Sequence, residues 1–151
     1  MIPYGRQSID AADVDAVVEV LGSDWLTQGP TVGRFEDALA ERVGARHAVA
    51  YSSGTAALHG ATFAAGFGPG DVVVTSPLSF IASANCVRYV GARPALVDVD
   101  EATWNIDLRL VPDDAAGVIP VHYAGLPVAL ESWQPARRPV VVEARSGAEA
   151  G

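Results

Sequence analysis

In the stretch "SIDAADVDAVVEVLGS", Val14, Val17, Val18 and Leu21 fall three or four positions apart, the spacing that puts apolar side chains on one face of a helix. Ser8 or Asp10 is placed to cap its start and Gly22 to end it. "TVGRFEDALAERVG" repeats the pattern with Phe35, Leu39 and Val43 and closes at Gly44. The period then changes. The short apolar run Ala48 to Tyr51 predicts a buried strand, Ser52-Ser53-Gly54-Thr55 a tight turn, and the alanine-rich segment from about Thr55 to Ala65 a helix. "GFGPGD" is a turn, "VVVT" a buried strand, and a helix from about Phe80 to Val90 ends at Gly91. "PALVDV", "GVIPV" (117 to 121) and "PVVVE" (139 to 143) predict three more strands. Strands alternating with helices imply right-handed crossovers and a mostly parallel sheet covered on both faces.

Composition narrows the function classes. Net charge is -8 over 151 residues, which argues against a nucleic-acid partner. No apolar run approaches the length that spans a bilayer, and "MIPYGRQSID" has no signal core, so the expectation is no membrane and a cytoplasmic location. A single cysteine, Cys86, excludes an internal disulfide. His47, His59 and His122 are spread over different elements, and "DVDEATWNID" lacks the Gly and terminal Glu of a calcium loop, so no metal site is expected. All ten basic residues are arginines, so chemistry that needs a lysine amine is beyond these 151 residues.

In a parallel sheet, ligands bind where strands end and helices begin. The turn at Ser53, Gly54 and Thr55 is such a place: Gly54 permits close approach, and helix-start N–H groups with two hydroxyls suit a phosphate. Equally, Ser and Thr there can simply cap the helix. Phe80, after "TSPLS", lies at the same sheet end and is either a ring that stacks on a flat ligand or a core residue. The loop of Trp25, Thr27 and Gln28, ahead of Gly29-Pro30, can grip a sugar, or Trp25 can plug an apolar gap.

These segments, in this order, resemble the N-terminal part of the DegT/StrS family of sugar aminotransferases. The matching pieces include "IPYGRQSID", "SDWLTQGP", "FEDALAERVGARHAVAYSSGTAALH", "GPGDVVVTSPLSFIASANCVRYVGARPALVDVD", "TWNID" and "PVHYAGLP", covering roughly residues 2 to 127. "YGRQSI", "LTQGP" and "SPLSFIASAN" look most like enzymes that aminate C4 of a UDP-linked 4-keto-6-deoxy-N-acetylhexosamine, on routes to pseudaminic-acid-type sugars. The resemblance implies an α/β fold, an incomplete large domain of the aspartate-aminotransferase (type I) fold, and pyridoxal phosphate as cofactor. It implies that Gly54 and Thr55 bind the cofactor phosphate with Ser53 beside them, and that Phe80 stacks on the pyridine ring. Tyr4, Asp24, Trp25, Leu26 and Thr27 would face the substrate, with Gln28 nearby. His122 and Tyr123 match a strand end near the active site without a specific role. The partners implied are a UDP-sugar, an amino-acid donor (glutamate) and a second copy in a homodimer.

The departure comes at the end. The family continues after such a strand with Glu-Asp-Ala, the Asp pairing with the pyridine nitrogen; here Glu143 is followed by Ala144, Arg145 and Ser146. The expected domain division is 1–143, a partial cofactor-binding domain, and 144–151, an out-of-frame tail left by a frameshift or truncation. Neither the lysine that would hold the cofactor nor the Asp is present, so no catalytic residue is assigned and the 151 residues are expected to be inactive. The alternatives are a fragment of a related sugar dehydratase, which has a histidine in place of the lysine, and a non-catalytic binding subunit.

Overall fold

The computed structural model describes residues 7–133 and 139–144. Tyr4 and the tail from 145 lie outside the described residues. The chain falls into two compact units, one ending at Ala50 and the other beginning at Tyr51.

The first unit holds α1 (Ala11–Leu21) and α2 (Pro30–Arg42). Asp10, not Ser8, caps α1. Its carboxylate accepts from the amides of Ala12 and Asp13, and the Asp13 carboxylate accepts from the Asp10 amide. This reciprocal box satisfies donors that a helix start cannot pair internally. Pro30 opens α2 in the first-turn position, where its missing N–H costs nothing. The apolar stripe of α1 lies in the open: Val14, Val17, Val18 and Leu21 are 52% to 65% exposed. Periodicity identified the stripe correctly, but it says nothing of what covers it.

The expected strand at Ala48 to Tyr51 does not form. These residues pair with no strand among those described; the Ala50 amide bonds instead to the Glu36 carboxylate at 2.8 Å. An apolar run becomes a strand only where a neighbour takes its backbone hydrogen bonds, which local pattern cannot supply.

The second unit contains α3 (Gly54–Ala64), β1 (Val72–Thr75), α4 (Ala82–Tyr89), β2 (Arg93–Leu96) and β3 (Gly117–Ile119). The strands form a parallel sheet in the order β2-β1-β3, with Val72 opposite Arg93 and Val73 opposite Gly117. Residues 140–143 extend it beyond β3 through parallel bridges of Val140 to Val118 and Glu143 to Val121. The "PVVVE" strand is thus present as paired extended chain.

Alternation along the strands divides the core in two. On one face, Val73 and Ile119 pack with Leu58 of α3, with Cys86 and Val87 of α4, and with Phe67. On the other, Val74 and Val118 pack with Ile106, Ala115 and Val128 from the connecting segments. So helices cover only one face of the described sheet; extended chain and single 3-10 turns cover the other. Thr62, fully buried in α3, puts its hydroxyl 3.0 Å from its own helix's Leu58 carbonyl and 3.2 Å from the Cys86 carbonyl of α4, joining the two helices. The tip of the Phe67 ring comes up against Gly117, where a Cβ would lie within 2.3 Å of it and 2.9 Å of the Pro139 carbonyl oxygen.

Gly117→Ala should therefore destabilise the second unit by roughly 1–3 kcal/mol through overpacking. Gly54→Ala, whose Cβ would meet nothing within 4 Å, should change stability by less than about 0.5 kcal/mol. Urea unfolding of both variants checks the contrast. Burial pushes the Cys86 thiol up from 9.0 to about 11. Its folded-state value is the higher one, so the stability it contributes is complete below pH 9 and is lost as pH rises through about 11. At pH 8 a thiol reagent should label the folded chain far more slowly than the urea-unfolded chain, because the nucleophile is the thiolate.

Candidate functional site

A cleft of about 340 Å³ opens at the carboxyl ends of the strands in the second unit. One wall is the first two turns of α3, from Gly54 to Ala61; the other is Phe80 and Ala82; the floor is Val141, Val142, Glu143 and Ala144. Its volume is in the range of small-ligand sites. It forms here because parallel strands all deliver their carboxyl ends to one side of the sheet, and each crossover helix starts from that side.

Ser53 caps α3, its hydroxyl oxygen accepting the Ala56 amide at 3.2 Å. That is the plain capping role. The amides of Gly54 and Thr55 lie within the same first turn, where helical geometry provides no acceptor. Both residues line the cleft, and the helix dipole adds partial positive charge there. Gly54 has an ordinary backbone conformation and room for a Cβ, so nothing among the described residues demands glycine at this position.

Phe80 is not a core residue. It is 53% exposed and stands in the cleft wall across from α3. Sequence reasoning passed over its supports. The Ser79 and Ser83 hydroxyls are 2.5 Å apart, Ser83 also lies 3.0 Å from the Phe80 carbonyl, and the Ser83 hydroxyl donates to the Glu143 carboxylate. Glu143 is a buried acid at the end of an apolar strand, and a lone acidic residue closing "VVVE" was the signal available.

His122 and Tyr123 follow β3 and are tied into a loop of their own. His122 Nδ1 accepts the Val128 amide at 3.2 Å, and the Tyr123 amide donates to Asn105 Oδ1 at 2.9 Å. The Asn105 side-chain amide in turn donates to the Leu126 carbonyl at 3.1 Å. These bonds shape the backbone around Ala124, which has φ 53°. In the acidic stretch, Asp100 Oδ1 accepts from the amides of Ala102 and Thr103, an Asx turn, and Arg109 holds the Asp107 carboxyl below its usual range.

Asp24, Trp25, Leu26, Thr27 and Gln28 form the exposed loop between α1 and α2 in the first unit. Gln28 has φ 54°, and a Cβ at Gly29 would come within 2.6 Å of the Trp25 Cβ, so Gly29 leaves room for the base of the Trp25 side chain. Trp25 lines a hollow of about 350 Å³ with Val20, Ser23, Pro30 and Arg34 and remains 60% exposed. Tyr4 lies outside the described residues. Among the described residues no helix is long and apolar enough to cross a membrane.

The spore coat polysaccharide biosynthesis protein SpsC of Bacillus subtilis (strain 168) is 46% identical over 128 residues, covering 82% of this chain and 33% of SpsC. The UDP-4-amino-4-deoxy-L-arabinose–oxoglutarate aminotransferase of Shewanella sediminis (strain HAW-EB3) is 37% identical over 135 residues, covering 87% and 35%. Among solved structures, the PLP form of Spr1654 from Streptococcus pneumoniae superposes with a TM-score of 0.79 at 30% identity, covering 86% of this chain and 34% of that one. The chain thus spans about a third of the length of the relatives it matches. The sequence profile of the DegT/DnrJ/EryC1/StrS aminotransferase family matches residues 7–138, and the chain belongs to that family.

Proposed function

We propose that this chain is the cofactor-binding portion of a pyridoxal-phosphate-dependent sugar aminotransferase. The observation that carries the reading is the cleft itself, with first-turn amides on one wall and an exposed aromatic ring on the other. A phosphorylated pyridine needs both features in one cleft. The residues fit the phosphate and the ring. They do not supply an acid for the ring nitrogen from position 144, which is alanine.

In this reading the Gly54 and Thr55 amides and the Thr55 hydroxyl donate to the phosphate, while Ser53 holds the helix start in place. Phe80 lies against one face of the ring and fixes its plane. When bound, the cofactor supplies the electron sink for moving an amino group, and the protein orients and tunes it. The substrate proposed is a UDP-linked 4-keto-6-deoxy-N-acetylhexosamine aminated at C4, with glutamate as donor. The stretches "LTQGP" and "SPLSFIASAN" support that choice, as does a relative whose name carries a UDP-linked 4-amino sugar and oxoglutarate. Tyr4 and the loop from Asp24 to Gln28 would face this substrate. The lysine that the reaction requires is absent from these 151 residues.

Thr55→Val should weaken binding of pyridoxal phosphate by about 1 kcal/mol, roughly fivefold, as one hydrogen bond to a charged group is lost. Equal affinity for the two proteins would leave the hydroxyl with no role in the site. Gly54→Ala should keep the melting temperature and lose most of the binding, because its Cβ would occupy the space the phosphate needs. The 151-residue chain should show no amino transfer to a 4-keto sugar nucleotide above free cofactor, and borohydride should fix no stoichiometric adduct at an internal residue. Such an adduct, mapped by mass spectrometry, would overturn the assignment.

A further inference from the structure

We propose that Glu143 is a positioning residue for the cleft: through Ser83 its carboxylate locks the strand that forms the floor to the turn that carries Phe80. This rests on the reading of the cleft as a pyridoxal-phosphate site.

The proton inventory sets the direction of the lock. The Ser83 hydroxyl has one proton and three partners within reach: Ser79 Oγ, the Phe80 carbonyl and the Glu143 carboxylate. Ser83 donates to the Glu143 carboxylate, which commits its single proton and leaves its oxygen to accept from Ser79. The result is a relay from the residue before Phe80 to the floor. Ser83 is itself fully buried, at 1% exposure, and it sits in the first turn of α4 rather than in the cleft lining. Glu143 is fixed from the backbone side as well. Its amide donates to the Pro120 carbonyl at 2.9 Å, and its carbonyl accepts the His122 amide at 3.0 Å. One end of the relay is therefore anchored in the sheet.

What the relay controls is the placement of one wall. Phe80 precedes α4, whose own start has no side-chain cap. The Ser79–Ser83 pair and the Ser83 contact with the Phe80 carbonyl define that turn, and Glu143 ties it to Val141, Val142 and Ala144 across the floor. The amides that would hold a phosphate belong to α3, and no bond of this relay involves that helix. Ring stacking depends on it; phosphate binding does not.

The test is equilibrium dialysis of the full 151-residue chain against pyridoxal phosphate and, separately, inorganic phosphate, with circular dichroism on every variant. Wild-type chain should bind pyridoxal phosphate more tightly than inorganic phosphate. If it does not, the cofactor reading and this inference both fall. Glu143→Ala and Ser83→Ala should each weaken pyridoxal phosphate about tenfold, because the stacking ring is no longer held in place before the cofactor arrives. Inorganic phosphate should stay within about twofold for Ser83→Ala and be no weaker for Glu143→Ala, which removes an acidic side chain from the cleft floor. Glu143→Gln, whose amide oxygen can still accept from Ser83, should recover most of the lost affinity. The double variant should be no worse than either single one, because both remove the same bond. A parallel loss of both ligands would reduce Glu143 to a fold residue and overturn the proposal, as would tight pyridoxal phosphate binding in Ser83→Ala. If Glu143→Ala fails to fold, Ser83→Ala decides the question alone, since it leaves the cleft lining untouched.

Discussion

Both hydrogen-bonding edges of β1 are occupied by parallel neighbours, β2 on one side and β3 on the other. Parallel neighbours cannot be joined by a tight turn, so each connection must cross a face of the sheet and return. The connection from β1 to β2 does this through α4, and the one from β2 to β3 through the 3-10 turn and extended chain between residues 97 and 116. Every strand then ends on the same side. Val73, Val74 and Val118 are wholly buried because both faces of the sheet are covered. The cleft is a consequence of this constraint. It lies where the turn after β1, the start of α3 and the end of the 140–143 segment are brought to one level.

The polar groups of the second unit follow the same logic. Thr62, Thr75 and Ser83 are buried hydroxyls, and each has a carbonyl or carboxylate within hydrogen-bond distance on another segment. Thr75 reaches the Ile119 carbonyl at 2.8 Å, at the ends of β1 and β3 that face the cleft. Such bonds contribute modestly to stability, yet leaving one partner unpaired in the interior is costly. They select one arrangement of walls and floor from among the arrangements that apolar packing alone would accept. The glycines act in a complementary way: Gly117 admits the Phe67 ring, and Gly60 admits the Tyr51 ring, whose hydroxyl would lie 2.2 Å from a Cβ there. Gly54 has no such internal neighbour, and its side faces open space.

The first unit shows how far helix-forming pattern reaches without a partner surface. α1 and α2 are capped and begun by the residues the sequence offers for the purpose, Asp10 and Pro30. Their apolar stripes, including Phe35 at 57% exposed and Leu39 at 41%, are nevertheless largely open. The chain spans about a third of the length of its relatives, and hydrophobic periodicity identifies a face that wants covering without naming the cover.

The sequence by itself determined the elements whose information is local: α1 from its spacing and Asp10, α3 from the Ser53 cap and its alanines, β1 from an uninterrupted valine run, and the α/β alternation that implies a parallel sheet. It also determined that Ser53 stands ready to cap α3 and that these 151 residues include no lysine. Tertiary structure decided what depends on distant neighbours. Ala48 to Tyr51 is no strand, because strand formation needs a partner for its backbone groups. Phe80 is a cleft wall and not core, a choice that composition leaves even because a phenylalanine suits both. Glu143 is bonded to Ser83, sixty positions earlier in the chain, and a bond across that separation is written in the fold and in no local pattern.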